Sequence, residues 1–372
     1  YRKGVLTMRV LILSANTGGG HNSSAAAVRE ELESRGIPCA VEDGLRFVSP
    51  QFSSIVSHGH VYVYRHLPGT FGRVYAYQEH HRMTWVSNLL RRGVVRMANH
   101  VKENGFTAVL CVHVFAAMML TEAQKRHGLT VPFYFLATDY TCSPGVNTIS
   151  ARAWFVPAAD LIPEFIACGI PREKLAATGI PVKRAFYTPV ERAQACRSLG
   201  LPEDKRILLL CCGSMGCGHI EKEVPRMDGQ IPPQVLPVVV CGNNRALYEK
   251  LTETPIDGIK VLGFTKEMSL YMAAADVCIT KPGGLTCTEM LVSGCPSVML
   301  LAVPGCESRN LEYFSRTYRT PDASDWPSAI GKALQLLDDP DRLREMAERL
   351  AAGRTAVPAA AAMVDYMLKD QP

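Results

Sequence analysis

Two short stretches combine glycines with residues able to do chemistry. The first is "TKPGGLTCTEMLVSGCP", residues 280–296. A strand-like apolar run ends at Thr280, glycines turn the chain, and a helix is expected to begin near Thr286. Free backbone N–H groups at a helix start bind anions, and the helix dipole adds to the attraction. A diphosphate is a natural ligand for Gly283, Gly284, Leu285 and Thr286; the bland alternative is a tight turn. Glu289 also has two readings. Thr286-Cys287-Thr288-Glu289 has the spacing of a capping box, and the same carboxylate could instead meet a ligand. The second stretch is "SANTGGGHNSS", residues 14–24. Here Gly18, Gly19 and Gly20 lead into His21. Such a loop either holds phosphate or gives a substrate clearance to reach the imidazole, which can take a proton near neutral pH. A purely structural histidine is the competing reading. Asp139, in "TDY", ends a strand and could orient His21, act as the base itself, or cap a turn.

Other chemistries find no support. The chain has no GxxxxGK[ST], no GxGxxG, no HExxH and no CxxC, so a P-loop, a dinucleotide fingerprint and a zinc site are not indicated. His58, His60, His80 and His81 lie near Glu79, but solvated or lipid-facing histidines are the favoured reading, and no metal is expected.

These residues need elements to position them. "MRVLILSANTGGGH" reads as a buried strand and glycine turn. "NSSAAAVREELESRG" reads as a helix capped by Ser23 or Ser24 and stopped at Gly36. "AVLCVHV", "PFYFLATDY" and "RAWFVPA" read as further strands with helices between some of them, the sign of a parallel sheet covered on both faces. His113, at the end of one strand, reads as a wall residue. The pattern restarts at "RILLLCCGSMGCGH", where Gly213 and Ser214 fall in a second glycine cluster and His219 mirrors His21. "LPVVVCG", "IKVLGF", "DVCITKPGG" and "PSVMLLAVPG" are the later strands. The expected fold is therefore α/β: two open parallel sheets with a cleft at the carboxyl ends of their strands. The expected domains are 8–186, 187–352, and a terminal helical segment, 353–372, folding back onto the first.

Composition agrees with an ordinary soluble globular protein. The 372 residues are 47% hydrophobic and 20% charged, with net charge +5. That charge is too mild to argue for nucleic acid. Thirteen cysteines without regular spacing do not make a disulfide framework, and a reducing cytoplasm is the simplest compartment. No run reaches the ~18 apolar residues of a membrane span. The N-terminus is not a convincing signal peptide, and Met8 could be the start, with residues 1–7 an upstream extension.

"SANTGGGHNSSA", "TDY", "GIPV", "VLGF", "ADVCITKPGGLTCTEML" and "VPGCESRN" occur in the order and spacing of one family. From about residue 10 to 315 the chain resembles the monogalactosyldiacylglycerol synthase and processive diacylglycerol glucosyltransferase family, which is similar in fold to the N-acetylglucosaminyltransferase that makes lipid II. The resemblance implies a GT-B fold of two Rossmann-like domains facing a central cleft. It implies an N-terminal lipid-acceptor domain and a C-terminal nucleotide-sugar domain. The implied reaction is inverting, metal-independent transfer of a hexose from a UDP-sugar, a co-substrate, to a lipid hydroxyl, with no cofactor. Carried over by position, Gly283, Gly284, Leu285 and Thr286 would hold the diphosphate and Glu289 the ribose. Gly263 and Phe264 would meet the base, and Glu307 and Asn310 the sugar. His21 would lie by acceptor and donor phosphate, with Asp139 as alternative base. Gly18, Gly19, Gly20, His113, Gly213 and Ser214 would line the cleft.

Residues 62–97 carry Arg65, Arg73, Arg91 and Arg92 among Phe71, Tyr75 and Trp85. A lipid acceptor makes this an interfacial segment on an anionic membrane, on the inner face of the cell membrane, with no nucleic-acid partner. Two departures from the family matter. Cys306 stands where many relatives have glutamine, which leaves the sugar open. Ser143 and Val146 stand where relatives often have histidine and tryptophan, which leaves the acceptor open. A GT-B epimerase or hydrolase, or a non-catalytic nucleotide-sugar or lipid-binding protein, are the competing functions.

Overall fold

The computed structural model describes residues 8–15, 19–66, 68–80, 84–211, 220–227, 229–300 and 303–370. The chain divides into two compact units, Tyr1–Arg184 with Thr355–Pro372, and Ala185–Arg354.

The first unit is built on a six-stranded parallel sheet in the order β2-β1-β3-β4-β5-β6. Its strands are β1 (Val10–Ser14), β2 (Cys39–Asp43), β3 (Ala108–Cys111), β4 (Phe133–Leu136), β5 (Trp154–Val156) and β6 (Leu175–Ala177). Its helices are α1 (Gly19–Ser34), α2 (Pro50–His66), α3 (Pro68–His80), α4 (Thr84–Glu103), α5 (Val114–His127) and α6 (Ile162–Ala167). β1 and β3 are buried at every position, as the unbroken apolar runs require of strands covered on both faces. Helix α1 begins at Gly19, so Ser23 and Ser24 lie inside it and do not cap it; Ser24 is fully buried. Gly36 adopts φ +68° just beyond the helix.

Gly93 sits mid-way along α4, where a Cβ would lie 2.8 Å from the Val48 backbone nitrogen and 2.9 Å from the Phe47 carbonyl carbon. Alanine is the better helix former by about 1 kcal/mol, but here the obstacle is backbone, which cannot swing aside. Gly93→Ala is therefore expected to destabilise by about 1–3 kcal/mol net in denaturant unfolding. Unchanged or increased stability would show that α4 can lift off the preceding turn.

The second unit carries a parallel sheet in the order β12-β11-β10-β7-β8-β9. The strands are β7 (Arg206–Cys211), β8 (Val235–Val240), β9 (Lys260–Leu262), β10 (Val277–Thr280), β11 (Ser297–Leu300) and β12 (Asp322–Ala323). Counted from its own first strand, this is the 3-2-1-4-5-6 winding of dinucleotide folds. The helices are α7 (Arg192–Leu199), α8 (Ile220–Glu223), α9 (Arg245–Glu253), α10 (Met268–Ala274), α11 (Gly284–Ser293), α12 (Cys306–Tyr318), α13 (Trp326–Leu337) and α14 (Pro340–Ala352). Asp276, just before β10, pairs with Arg192 of α7 at 2.9 Å and with Arg206 of β7 at 2.9 Å, which ties α7 to this sheet.

The last helix, α15 (Ala359–Lys369), belongs to the first unit. Ala360, Met363, Val364 and Met367 join the core around Val10, Ile12, Val28 and Phe155. Polar contacts fix its end: Tyr134 donates to Asp370 at 2.8 Å, and Arg152 pairs with Asp370 at 3.0 Å.

Candidate functional site

In open α/β sheets ligands bind beyond the carboxyl ends of the strands, where the winding reverses. In the first unit that point lies between β1 and β3, and in the second between β7 and β10. The histidines and the glycine turn singled out in the sequence follow these strands.

His21 is in the first turn of α1, directly after β1. Ser14, the last residue of β1, donates to Asn22 at 2.6 Å, which ties the strand end to the helix start. The His21 and His113 rings meet edge to face, with centroids 5.0 Å apart. His113 is the N-cap of α5, where its Nδ1 accepts from the Phe115 amide at 3.2 Å. Thr138 places its hydroxyl 3.2 Å from His21 Nδ1. Burial, opposed by a hydrogen bond to the Val112 carbonyl, lowers the His21 pKa to about 4. The ring is therefore neutral at pH 7. A ring nitrogen that donates to a carbonyl carries the one proton of neutral imidazole, so the other nitrogen is left as an acceptor. Asp139 is half-buried and follows Thr138 at the end of β4. The "TD" pair pointed to the aspartate; the threonine that touches His21 carried no signal of its own. Gly19 and Gly20 are helical, being the first two residues of α1, so the glycine loop is shorter than the sequence suggests. Gly18, Gly213, Ser214 and His219 lie outside the described residues.

In the second unit, Gly283 is the N-cap of α11, with φ −73° and ψ 136°, and no side chain caps the helix. The helix starts at Gly284, two residues earlier than expected. Thr286 is consequently inside the first turn, and the capping-box reading of Glu289 falls away. The Gly284, Leu285 and Thr286 amides are the first-turn donors that helical geometry leaves without an intrahelical acceptor. A Cβ at Gly283 would meet nothing within 4 Å, so the cap position itself is uncrowded. Thr288 turns its hydroxyl back onto the Gly284 carbonyl at 2.8 Å. Glu289 is half-buried one turn along.

Glu307 and Asn310 lie in the first turns of α12 and are buried, at 4% and 0% exposure. Glu307 pairs with Lys281 at 3.0 Å, and Asn310 donates to the Pro282 carbonyl at 2.9 Å. Gly263 and Phe264 follow β9. Phe264 is 62% exposed, while the Tyr248 ring lies 3.7 Å from where a Gly263 Cβ would be.

Helices α2 to α4 carry the arginine- and aromatic-rich segment. Arg73, Arg91 and Arg92 are exposed and Tyr75 is half-buried. Ile55, Tyr62, Val74 and Tyr77 are 70%, 61%, 48% and 60% exposed. Arg65, Phe71 and Trp85 have helical backbones, and their side chains lie outside the described part of the structure. Among the described residues, no helix is long and apolar enough to cross a membrane.

Residues 21–182 match the family model for monogalactosyldiacylglycerol (MGDG) synthase, and residues 207–304 match the glycosyltransferase family 28 C-terminal domain. A processive diacylglycerol beta-glucosyltransferase of Bacillus thuringiensis is 26% identical over 92% of this chain and 89% of its own length. The similarly named protein of Staphylococcus saprophyticus is 29% identical over 66% of this chain and 63% of its own length. The crystal structure of Acinetobacter baumannii MurG superposes with a TM-score of 0.63 at 16% identity, covering 97% of this chain and 99% of that one. The fold is GT-B, and in sequence the chain is similar to the monogalactosyldiacylglycerol synthases over residues 21–182 and to the processive diacylglycerol beta-glucosyltransferases over most of its length.

Proposed function

We propose that this protein is a glycosyltransferase that moves a hexose from a UDP-sugar to the hydroxyl of a diacylglycerol or glycolipid at an anionic membrane surface. The observation that carries the reading is the uncapped amino end of α11 at the switch point of a Rossmann-ordered sheet. Its first-turn amides offer a diphosphate fixed donors that need no reorganisation as charge builds on the leaving group. On this reading the acceptor oxygen attacks the anomeric carbon from the face opposite the diphosphate and inverts it. His21, neutral and with one unprotonated ring nitrogen, takes the hydroxyl proton as the C–O bond forms, and UDP departs. No step in this account calls on a metal. Glu289 accepts from the ribose hydroxyls, and Gly263 and Phe264 meet the base. The exposed Ile55, Tyr62 and Tyr77 beside Arg73, Arg91 and Arg92 support an interfacial role for α2 to α4, with rings at the boundary and guanidinium groups on the head groups.

The test supplies labelled UDP-glucose, UDP-galactose or UDP-N-acetylglucosamine with vesicles of diacylglycerol and anionic phospholipid. Label in the organic phase supports transfer; free sugar or an epimer supports the hydrolase or epimerase reading, and no product the non-catalytic one. Hydrogen bonds to a charged group contribute about 1.5–3 kcal/mol. Glu289→Ala is therefore expected to weaken UDP binding about tenfold or more, measured by calorimetry. UDP affinity unchanged in that variant would remove Glu289 from the ribose site.

A further inference from the structure

The loop after β4 runs from Thr138, which meets His21, through Asp139 to Cys142. Helix α6 holds this loop. The Glu164 carboxylate of α6 accepts from the Thr141 hydroxyl at 2.6 Å and from the Cys142 amide at 2.7 Å, both on Oε1. Cys168 caps the carboxyl end of the same helix, and its amide donates to the Glu164 carbonyl at 3.0 Å. Residues four apart on a helix share a face, so Glu164 and Cys168 lie on the side of α6 where Cys142 sits. The two thiols are neighbours there: burial first, and then the Cys168 thiol, push the Cys142 thiol up. Both cysteines are half-buried, and Cys168 lies between the exposed Ala167 and Gly169. The Cys211 and Cys278 sulfurs are also close, at 3.5 Å, but those residues are 4% and 0% exposed within the second sheet. A reagent from solution meets the first pair and is kept from the second.

We propose that Cys142 and Cys168 are a modification site, a dithiol that a low-molecular-weight disulfide converts reversibly to a protein disulfide, clamping the loop that carries Asp139 onto α6. The Cys168 thiolate, at the open helix end, attacks one sulfur of the small disulfide; that S–S bond breaks and one thiolate leaves. The Cys142 thiol then loses its proton and attacks the Cys168 sulfur, so that the protein S–S bond forms and the second thiolate leaves. The protons of the two protein thiols end on the two released thiols, and the two electrons given up by the pair reduce the small disulfide. In a reducing compartment the dithiol is the resting form, and pairs of this kind serve as redox sensors. Two bonded sulfurs lie closer than two thiols in contact, so closure draws Cys142 toward α6. Thr138 is four residues away, and a misplacement of about 1 Å can cost about 100-fold in rate. Oxidation is therefore expected to lower turnover about tenfold or more. UDP affinity is expected to stay unchanged, because the amides proposed to hold the diphosphate belong to the other unit. The effect on turnover rests on the proposed transfer reaction; the disulfide does not.

Trypsin places the two cysteines in separate peptides, 127–152 and 153–172, with no other cysteine in either. The full chain is incubated with oxidised glutathione, blocked with iodoacetamide, digested and weighed by mass spectrometry. The expected product is the two peptides joined, separated again by dithiothreitol. Sugar transfer is expected to fall with the joining and to return with dithiothreitol. Cys168→Ser, which cannot form the bond, is expected to keep its turnover through the same treatment. Alkylation of both cysteines, glutathione retained on either one, or either one joined to a different cysteine would overturn the site. Joined peptides with turnover unchanged would overturn the clamp. A reduced wild-type protein that transfers no sugar would instead overturn the proposed function, and the joined peptides would still decide the modification site.

Discussion

His21→Ala is expected to lower turnover by about 10²- to 10⁴-fold, the usual contribution of a positioned acid or base, while UDP affinity stays within about twofold. The expectation comes from what surrounds the ring. His21 packs edge-on against His113 and meets the Thr138 hydroxyl at 3.2 Å, so its orientation is set by the ends of β3 and β4. The amides proposed to hold the diphosphate, by contrast, belong to α11 in the other unit. Removing the imidazole therefore removes a proton acceptor and leaves the donor's ligands in place. Turnover unchanged in the variant, with donor and acceptor saturating, would take His21 out of the mechanism.

The pH profile tests the same residue differently. Burial holds the His21 pKa at about 4, so kcat/KM, which reports the free enzyme, should stay level from neutral pH down to about 5 and fall near 4. A bound diphosphate is an anion and favours imidazolium. The acid limb of kcat should therefore lie at higher pH than that of kcat/KM. Stability has its own sign. The folded pKa lies below the unfolded value near 6.5, so the unfolded chain takes up the proton first. The stability associated with His21 is complete above about pH 6.5 and is lost as pH falls toward 4. An acid limb of kcat/KM at 6.5 would show a solvated, unperturbed ring.

The sequence disclosed much of this design and hid the rest for physical reasons. Long apolar runs identified β1, β3, β7, β8, β10 and β11, because buried parallel strands need apolar residues on both faces. β2, β6 and β12 passed unread: β2 is only half-buried throughout, and the other two are three and two residues long. Helices α1 and α11 both begin earlier than they read. Glycine signals a turn, yet Gly19, Gly20 and Gly284 lie in the first turns of their helices. Thr138 lies 117 residues from the ring it touches, and no local pattern reports such a contact. The contacts of Glu307 with Lys281 and of Asn310 with the Pro282 carbonyl were hidden in the same way.

Gly283→Asp should separate stability from function most sharply, moving them in opposite directions. Gly283 has φ −73° and ψ 136°, extended backbone that aspartate adopts readily and that N-cap residues commonly occupy. The position of its missing Cβ has no neighbour within 4 Å, so the new side chain meets no steric obstacle. An N-cap carboxylate bends over the first-turn amides and accepts from them, and its charge suits the amino end of the helix. Aspartate also removes the extra freedom of a glycine in the unfolded chain. The variant is expected to gain about 0.5–1 kcal/mol of stability. The same carboxylate then occupies the place of the diphosphate and repels it. Charge-assisted hydrogen bonds worth about 1.5–3 kcal/mol each are lost, and UDP affinity should fall by about 100-fold or more, with transfer falling alongside. An unfolding transition together with UDP calorimetry reads both effects on one sample. If the variant binds UDP as the wild type does, the amino end of α11 is an ordinary helix start. If it binds poorly because it has unfolded, the uncrowded cap position at Gly283 is wrong. A more stable protein that has lost UDP is the outcome that only a glycine kept bare for an anion explains.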